Sequence, residues 1–126
     1  MKYLVTGCAG FIGFHLSKNL LENRETIMGI DNLNDYYDPK LKKERLNILK
    51  QYDNFSFNQI DITDYQELQK DFKEYSPEKV CHLATQAGVR YSLTHPFVYE
   101  KTNMLGFLNI LELMRKFKIK DLIFAS

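Results

Sequence analysis

Gly7, Gly10 and Gly13 stand in the spacing G-x-x-G-x-x-G, between the apolar run Tyr3-Leu4-Val5 and a segment with helical periodicity that begins at Phe11. This is the pattern of a strand passing into a helix through a turn whose backbone does the binding. The first glycine permits a tight turn, the second lets the main chain approach a pyrophosphate, and the third lets helix and sheet pack. The helix start at Phe11-Ile12 adds unpaired amides and a positive partial charge, so no side-chain cation is required. A glycine-bearing turn without a ligand would share the spacing, but the strand-loop-helix context favours a dinucleotide site.

Further candidates lie after the later apolar runs. Asp31 follows the second run, eighteen positions beyond Gly13. An acid there accepts hydrogen bonds from an adenosine ribose and repels a 2′-phosphate, favouring NAD over NADP. The competing role is capping of the following turn, where Asn32, Asn34 and Asp35 are also suited to turn work, and Asn32 is a second cofactor candidate. Asp61-Ile62 offers a carboxylate to the adenine amino group and an apolar side chain to its edge; Asp61 could equally cap the helix starting near Asp64. Beyond His82, the segment Leu83-Ala84-Thr85-Gln86-Ala87-Gly88 is small enough for the nicotinamide half of a dinucleotide to lie against the backbone. Arg90 either pairs with a phosphate or carboxylate of a substrate or is a solvated or ion-paired loop arginine. His82 sits in a strand pattern and reads as a hydrogen-bonded core residue; His15 and His95 also read as structural.

The elements that must position these residues alternate. Strand-length runs occur at Tyr3–Val5, Thr26–Ile30, Phe55–Phe57, Val80–Leu83 and Leu122–Phe124. Helical stretches separate them. Ile12, Leu16, Leu20 and Leu21 mark the first, Leu41, Leu46, Ile48 and Leu49 the second, and Leu68 and Phe72 the third. The fourth enters at Thr94-His95-Pro96 and runs to about Phe117, with Met104, Leu105, Leu108, Leu111 and Met114 expected to face inward. Four strand-helix units closed by a fifth strand imply an α/β fold, a parallel sheet of order 3-2-1-4-5 with helices on both faces. Ligands of such sheets bind where strand order reverses, here between the first and fourth strands.

Composition narrows the function classes. The 126 residues are 44% apolar and 26% charged, with 17 basic and 16 acidic side chains and a formal net charge of +1, which suits one globular domain. There is no basic field for nucleic acid. No apolar stretch is long enough for a membrane span, and the start does not read as a signal peptide, so a cytoplasmic protein is expected. Cys8 and Cys81 lie far apart without metal-ligand spacing, which predicts reduced thiols and no metal site.

Taken together, Val5-Thr6-Gly7 through Phe14-His15-Leu16, the string Gly29 to Asp38, the loop Gln86 to Leu93, Asn103 with Gly106 to Glu112, and Phe124-Ala125-Ser126 resemble the extended short-chain dehydrogenase/reductases. Asp31-Asn32-Leu33-Asn34-Asp35-Tyr36-Tyr37-Asp38 and Gln86-Ala87-Gly88-Val89-Arg90-Tyr91-Ser92 resemble the NAD-dependent UDP-glucuronate 4-epimerases in particular. Cys8 and Thr85 stand where such proteins usually carry alanine. The resemblance implies a Rossmann-type domain over residues 1–126, ending after the fifth strand and lacking a C-terminal substrate domain. It implies NAD held by the glycine loop, Asp31, Asn32, Asp61, Ile62, Leu83 to Gln86 and Asn103, with a UDP-sugar substrate near Arg90. It further implies inversion at C4 of a UDP-hexuronic acid by transient oxidation, serving surface polysaccharide or lipopolysaccharide synthesis. The family's Tyr-x-x-x-Lys base pair is missing from the required place, and Ser126 only neighbours the position of the catalytic serine or threonine, so the chain alone is expected to be inactive. An uncovered fifth strand and fourth helix predict a homodimer or larger assembly. A non-catalytic Rossmann module or assembly partner, and part of a sugar-nucleotide 4,6-dehydratase, are the alternatives.

Overall fold

In a computed structural model, which describes residues 1–33, 39–84 and 101–124, five strands form one parallel sheet. The elements are β1 (Lys2–Thr6), α1 (Phe11–Glu22), β2 (Thr26–Asp31), α2 (Pro39–Leu49), β3 (Phe55–Gln59), α3 (Tyr65–Tyr75), β4 (Lys79–His82), a π-helical turn (Lys101–Leu105) continuing into α4 (Gly106–Lys116), and β5 (Asp121–Phe124). Their order across the sheet is β3-β2-β1-β4-β5, the order expected from the sequence. β1 therefore lies between β2 and β4, pairing Val5 with both Gly29 and Cys81.

Side-chain alternation along the central strands divides the core into two layers. Leu4, Ile30 and Val80 join Leu68 and Phe72 of α3 and Ile110, Leu113 and Met114 of α4. Val5, Ile27 and Cys81 join Phe14 and Leu21 of α1 and Leu46 and Leu49 of α2. Both cysteines are buried free thiols. Asp64 caps α3 by accepting from the Glu67 amide at 3.2 Å, and Ser76, in the left-handed region at φ 54°, ends it.

The helix expected from Thr94 is described only from Lys101, and its buried face differs from the expected one. Met104, Leu105, Leu108 and Leu111 are exposed, at 61%, 41%, 59% and 39%. Gly106, Asn109, Ile110, Leu113 and Met114 face the sheet instead. The helix carries apolar residues on two sides, and close approach decides between them. A Cβ on Gly106 would sit 2.3 Å from Ile62 Cδ1, so the backbone of α4 comes nearest the sheet at its one residue without a side chain. Only Met114 of the expected inward set is buried. Likewise Ile12, Leu41 and Ile48 are exposed, while Phe14 and Ser17 take the inner face of α1.

The ends of β1 and β4 are locked together by one hydroxyl. Thr6 Oγ1 accepts from the amides of Leu83 and Ala84 at 3.0 and 3.1 Å and lies 2.8 Å from Nδ1 of its register partner His82. With amide donors on its oxygen, the hydroxyl hydrogen points to Nδ1, which assigns the imidazole proton to Nε2. Nε2 is buried without a hydrogen-bond partner, and the ring stacks on Phe107 at 5.4 Å between centroids. Burial lowers the His82 pKa to about 4, so the ring is neutral.

The glycine turn is equally constrained. Gly7 has φ +71°, and a Cβ on it would lie 2.8 Å from the Leu83 carbonyl carbon and oxygen. A Cβ on Gly13 would fall 2.0 Å from the Gly7 carbonyl oxygen, whereas one on Gly10 would meet only that oxygen, at 3.3 Å.

Two outcomes follow from this packing. In urea unfolding, Gly13→Ala is expected to lose about 2 kcal/mol or more, because backbone overlap outweighs the roughly 1 kcal/mol that alanine gains in a helix, whereas Gly10→Ala stays within about 1 kcal/mol of wild type. Because the folded-state pKa of His82 lies below its ordinary value of 6.5, its contribution is complete above pH 6.5 and is lost as pH falls toward about 4. Between pH 7 and pH 5 the wild type should lose about 2 kcal/mol more than His82→Gln, measured as the difference between their urea midpoints multiplied by m.

Candidate functional site

Three chain segments converge at the carboxyl ends of the strands beside β1: the turn from Gly7 to Gly10, the end of β2 at Asp31, and the exit of β4 at Leu83 and Ala84. Gly7 donates its amide to Ile30 O at 2.7 Å, and Gly10 donates to Gly7 O at 3.1 Å. These bonds coil the loop tightly before α1 begins. The N-cap of α1 is Gly10, which offers no side chain, and the first turn holds no acid. Its leading amides, which no helix can pair internally, thus meet no carboxylate from the helix's own first turn. Phe11 and Ile12 in that turn are 67% and 62% exposed. A backbone cradle roofed by exposed apolar side chains and floored by glycine fits the pyrophosphate of a dinucleotide.

Asp31 is only 5% exposed, and its carboxylate is fixed from three sides. Oδ2 accepts from the Ala9 amide at 3.1 Å, and Oδ1 accepts from the Leu33 amide at 2.8 Å and from Lys42 Nζ at 3.3 Å. The acid thus ties the end of β2 to the glycine loop, and it also makes the turn contact that its position after a strand allows. Asn32, half-buried, accepts from Gln59 Nε2 through its carbonyl at 3.4 Å. Neither Lys42 nor Arg45 reads as part of a site in the sequence, since both lie in the charged run of a surface helix. In the fold they are one turn apart on the inner side of α2. Arg45 Nη1 donates to Ala9 O at 3.1 Å, and its guanidinium lies 5.8 Å from the centre of the Phe11 ring.

Asp61 is exposed and accepts from the Thr63 amide and hydroxyl at 2.9 and 2.7 Å. The α3 cap belongs to Asp64, which removes the capping alternative for Asp61. Ile62 turns its side chain into the core against Gly106, and its carbonyl accepts from Asn109 Nδ2 at 2.9 Å. Asn103 lies in the π-helical turn ahead of α4, half-buried. Thr85, Gln86, Arg90, His95 and Ser126 lie outside the described residues.

His15 is exposed and makes edge contacts with the rings of Phe11 and Phe14, at 4.8 and 5.1 Å. A Tyr-x-x-x-Lys spacing does occur at Tyr75 and Lys79, but it has no catalytic geometry. The Tyr75 hydroxyl donates to Thr26 O at 3.0 Å, at the amino end of the sheet, and burial pushes its pKa up to about 12, the reverse of an activated base. Lys79 instead sits over the ring of Tyr3, at 5.9 Å. Burial also raises the Cys8 thiol well above its ordinary range, so this cysteine is inert filling behind Gly29. Among the described residues no cluster of potential ligands could hold a metal ion, and no helix is long and apolar enough to cross a membrane.

Comparison with known proteins agrees with this geometry. The chain is 53% identical over 124 residues to a UDP-glucuronate 4-epimerase of Thermodesulfobacterium geofontis, covering 98% of this chain and 38% of that protein. It is similar to the crystal structure of a UDP-glucuronic acid 4-epimerase from Bacillus cereus in complex with UDP-glucuronic acid and NAD. The TM-score is 0.90 at 34% identity, covering 100% of this chain and 40% of the other. The Thermus thermophilus UDP-glucose 4-epimerase solved with NAD gives a TM-score of 0.85 at 34% identity, over 100% and 37%. The chain thus spans about two fifths of the length of these relatives. The family model described as GDP-mannose 4,6 dehydratase matches residues 4–126, nearly the whole sequence and all three converging segments, and the chain belongs to that family.

Proposed function

We propose that this chain is the NAD-holding part of a nucleotide-sugar 4-epimerase acting on a UDP-hexuronic acid in the cytoplasm, in a route to surface polysaccharide. The observation that carries the reading is the junction of Asp31 with the glycine loop, Ala9 amide to Asp31 Oδ2 at 3.1 Å, which places an acid beside a side-chain-free helix start. When bound, NAD would supply a reversible hydride acceptor for C4 of the sugar. The chain's own residues bind and orient. The leading amides of α1 hold the pyrophosphate, Asp31 accepts from ribose hydroxyls, and Asp61 accepts from the adenine amino group. Arg90 would pair with the uronate carboxylate. Removal of the C4 hydroxyl proton needs a base, and the Tyr75–Lys79 pair, at the amino end of the sheet with its hydroxyl given to Thr26 O, does not supply it.

The epimerase reading is preferred to a 4,6-dehydratase because the relatives and solved structures cited above are 4-epimerases, although the family model carries the dehydratase description. The proposal includes self-association. Met104, Leu105, Leu108 and Leu111 leave an apolar row along one side of the last helix, and a second copy would bury it.

Calorimetric titration of the 126-residue chain should show NAD binding, weaker NADP binding and no UDP binding; absence of heat with NAD at millimolar ligand refutes the cofactor reading. Asp31→Ala is expected to weaken NAD by about tenfold to a hundredfold, from lost charge-assisted hydrogen bonds worth about 1.5–3 kcal/mol. Sedimentation velocity at micromolar concentration should show a dimer that Leu108→Lys converts to monomer. A monomeric wild type would rule out the assembly.

A further inference from the structure

We infer that Lys42 is a specificity-determining residue of the cofactor site: by holding Asp31 it sets how strongly that site rejects a 2′-phosphate on the ribose. The inference rests on the proposed dinucleotide reading and adds to it a residue on a different element, α2. Its ammonium lies 3.3 Å from Asp31 Oδ1, and the two side chains are 8% and 4% exposed. Burying a lysine is costly, and a methionine of similar length would cover the same seam without desolvation. What the ammonium adds is charge, delivered to the acid at the end of β2.

The consequence for selectivity is electrostatic. A lone carboxylate repels a dianionic 2′-phosphate strongly where little water screens it. Lys42 at 3.3 Å offsets part of the Asp31 charge, so discrimination rests more on the hydrogen bonds that ribose hydroxyls make to the carboxylate, which a 2′-phosphate cannot make. The other inward cation of α2, Arg45, is engaged with the Ala9 carbonyl of the same loop, so α2 brings two positive charges toward an anion-binding turn. Lys43, the next residue along, is exposed and provides a control with the same change in net charge.

The test is the ratio of dissociation constants for NADP and NAD, measured by calorimetry on the 126-residue chain. Lys42→Met should raise the ratio roughly tenfold or more, because the Asp31 charge is no longer offset. Asp31→Asn should lower it by a similar factor, since Lys42 remains without its Asp31 counter-charge, and the double variant should lose that gain. Lys42→Arg and Lys43→Met should keep the wild-type ratio. If Lys42→Met weakens both cofactors equally, or leaves the ratio unchanged, Lys42 is a structural ion pair and the inference fails while the dinucleotide reading stands. Should Lys42→Met not fold, Lys42→Gln, uncharged but able to donate to Asp31, reads the same ratio. A wild type that binds neither dinucleotide overturns the site and the role of Lys42 with it.

Discussion

The architecture hangs on a place where three stretches of backbone touch with no side chain between them. The turn at Gly7 lies against the exit of β4, and the first turn of α1 lies against Gly7, at separations where a Cβ would fall 2.0–2.8 Å from main-chain atoms. Contacts of this kind have no rotamer to adjust, so they fix the parts rigidly. They dictate that β4 sits next to β1, that α1 starts directly beneath the turn, and that the amides at its start face the crevice. Thr6 closes the same corner from inside the sheet. Its hydroxyl takes two amides of the β4 exit and spends its proton on the neutral ring of His82. The floor of the candidate site is therefore set by main chain and one hydroxyl, and its walls are attached afterward.

What was legible in the sequence was whatever depends on local pattern. Strand-length apolar runs, the glycine spacing and the acid at Asp31 each leave a signal within a few residues, and the sheet order is one of the few that alternation with right-handed crossovers allows. Three features were not legible, each for a physical reason. The buried side of α4 depends on how near Gly106 comes to Ile62, a contact 44 positions apart whose closeness no periodicity encodes. Lys42 and Lys43 are adjacent lysines of one type, and only the packing of α2 on the glycine loop buries the first and exposes the second. Thr6 reads as an ordinary β-branched strand residue; its role exists only once β4 pairs beside it. The signal that could have flagged it is a hydroxyl at the last position of the strand, after Leu4 and Val5 and directly before the turn.

Charge is distributed to match this division of labour. The end of the crevice formed by the glycine loop uses dipoles and amides, which need no counter-ion and carry no desolvation cost of a buried cation. The end at Asp31 uses a carboxylate, buried and held by two amides and a lysine. The donors to Asp31 come from three elements: the loop before α1, the chain after β2, and α2. The same interactions that fix the acid therefore also register α2 against the loop, so the placement of the candidate site and tertiary packing share their bonds at this point.

The last helix shows the converse arrangement, with its functions on separate sides. Its inner side is clipped to the turn after β3, where Gly106 allows close contact with Ile62 and the Asn109 amide holds the Ile62 carbonyl. That turn also presents Asp61, whose carboxylate is oriented by Thr63. Its outer side carries Met104, Leu108 and Leu111, none of which contributes to the core clusters. The contacts to Ile62 and the exposed apolar row thus occupy different sides of α4, while Phe107 of the same helix stacks on His82 and so joins it to the Thr6 corner beside the glycine turn.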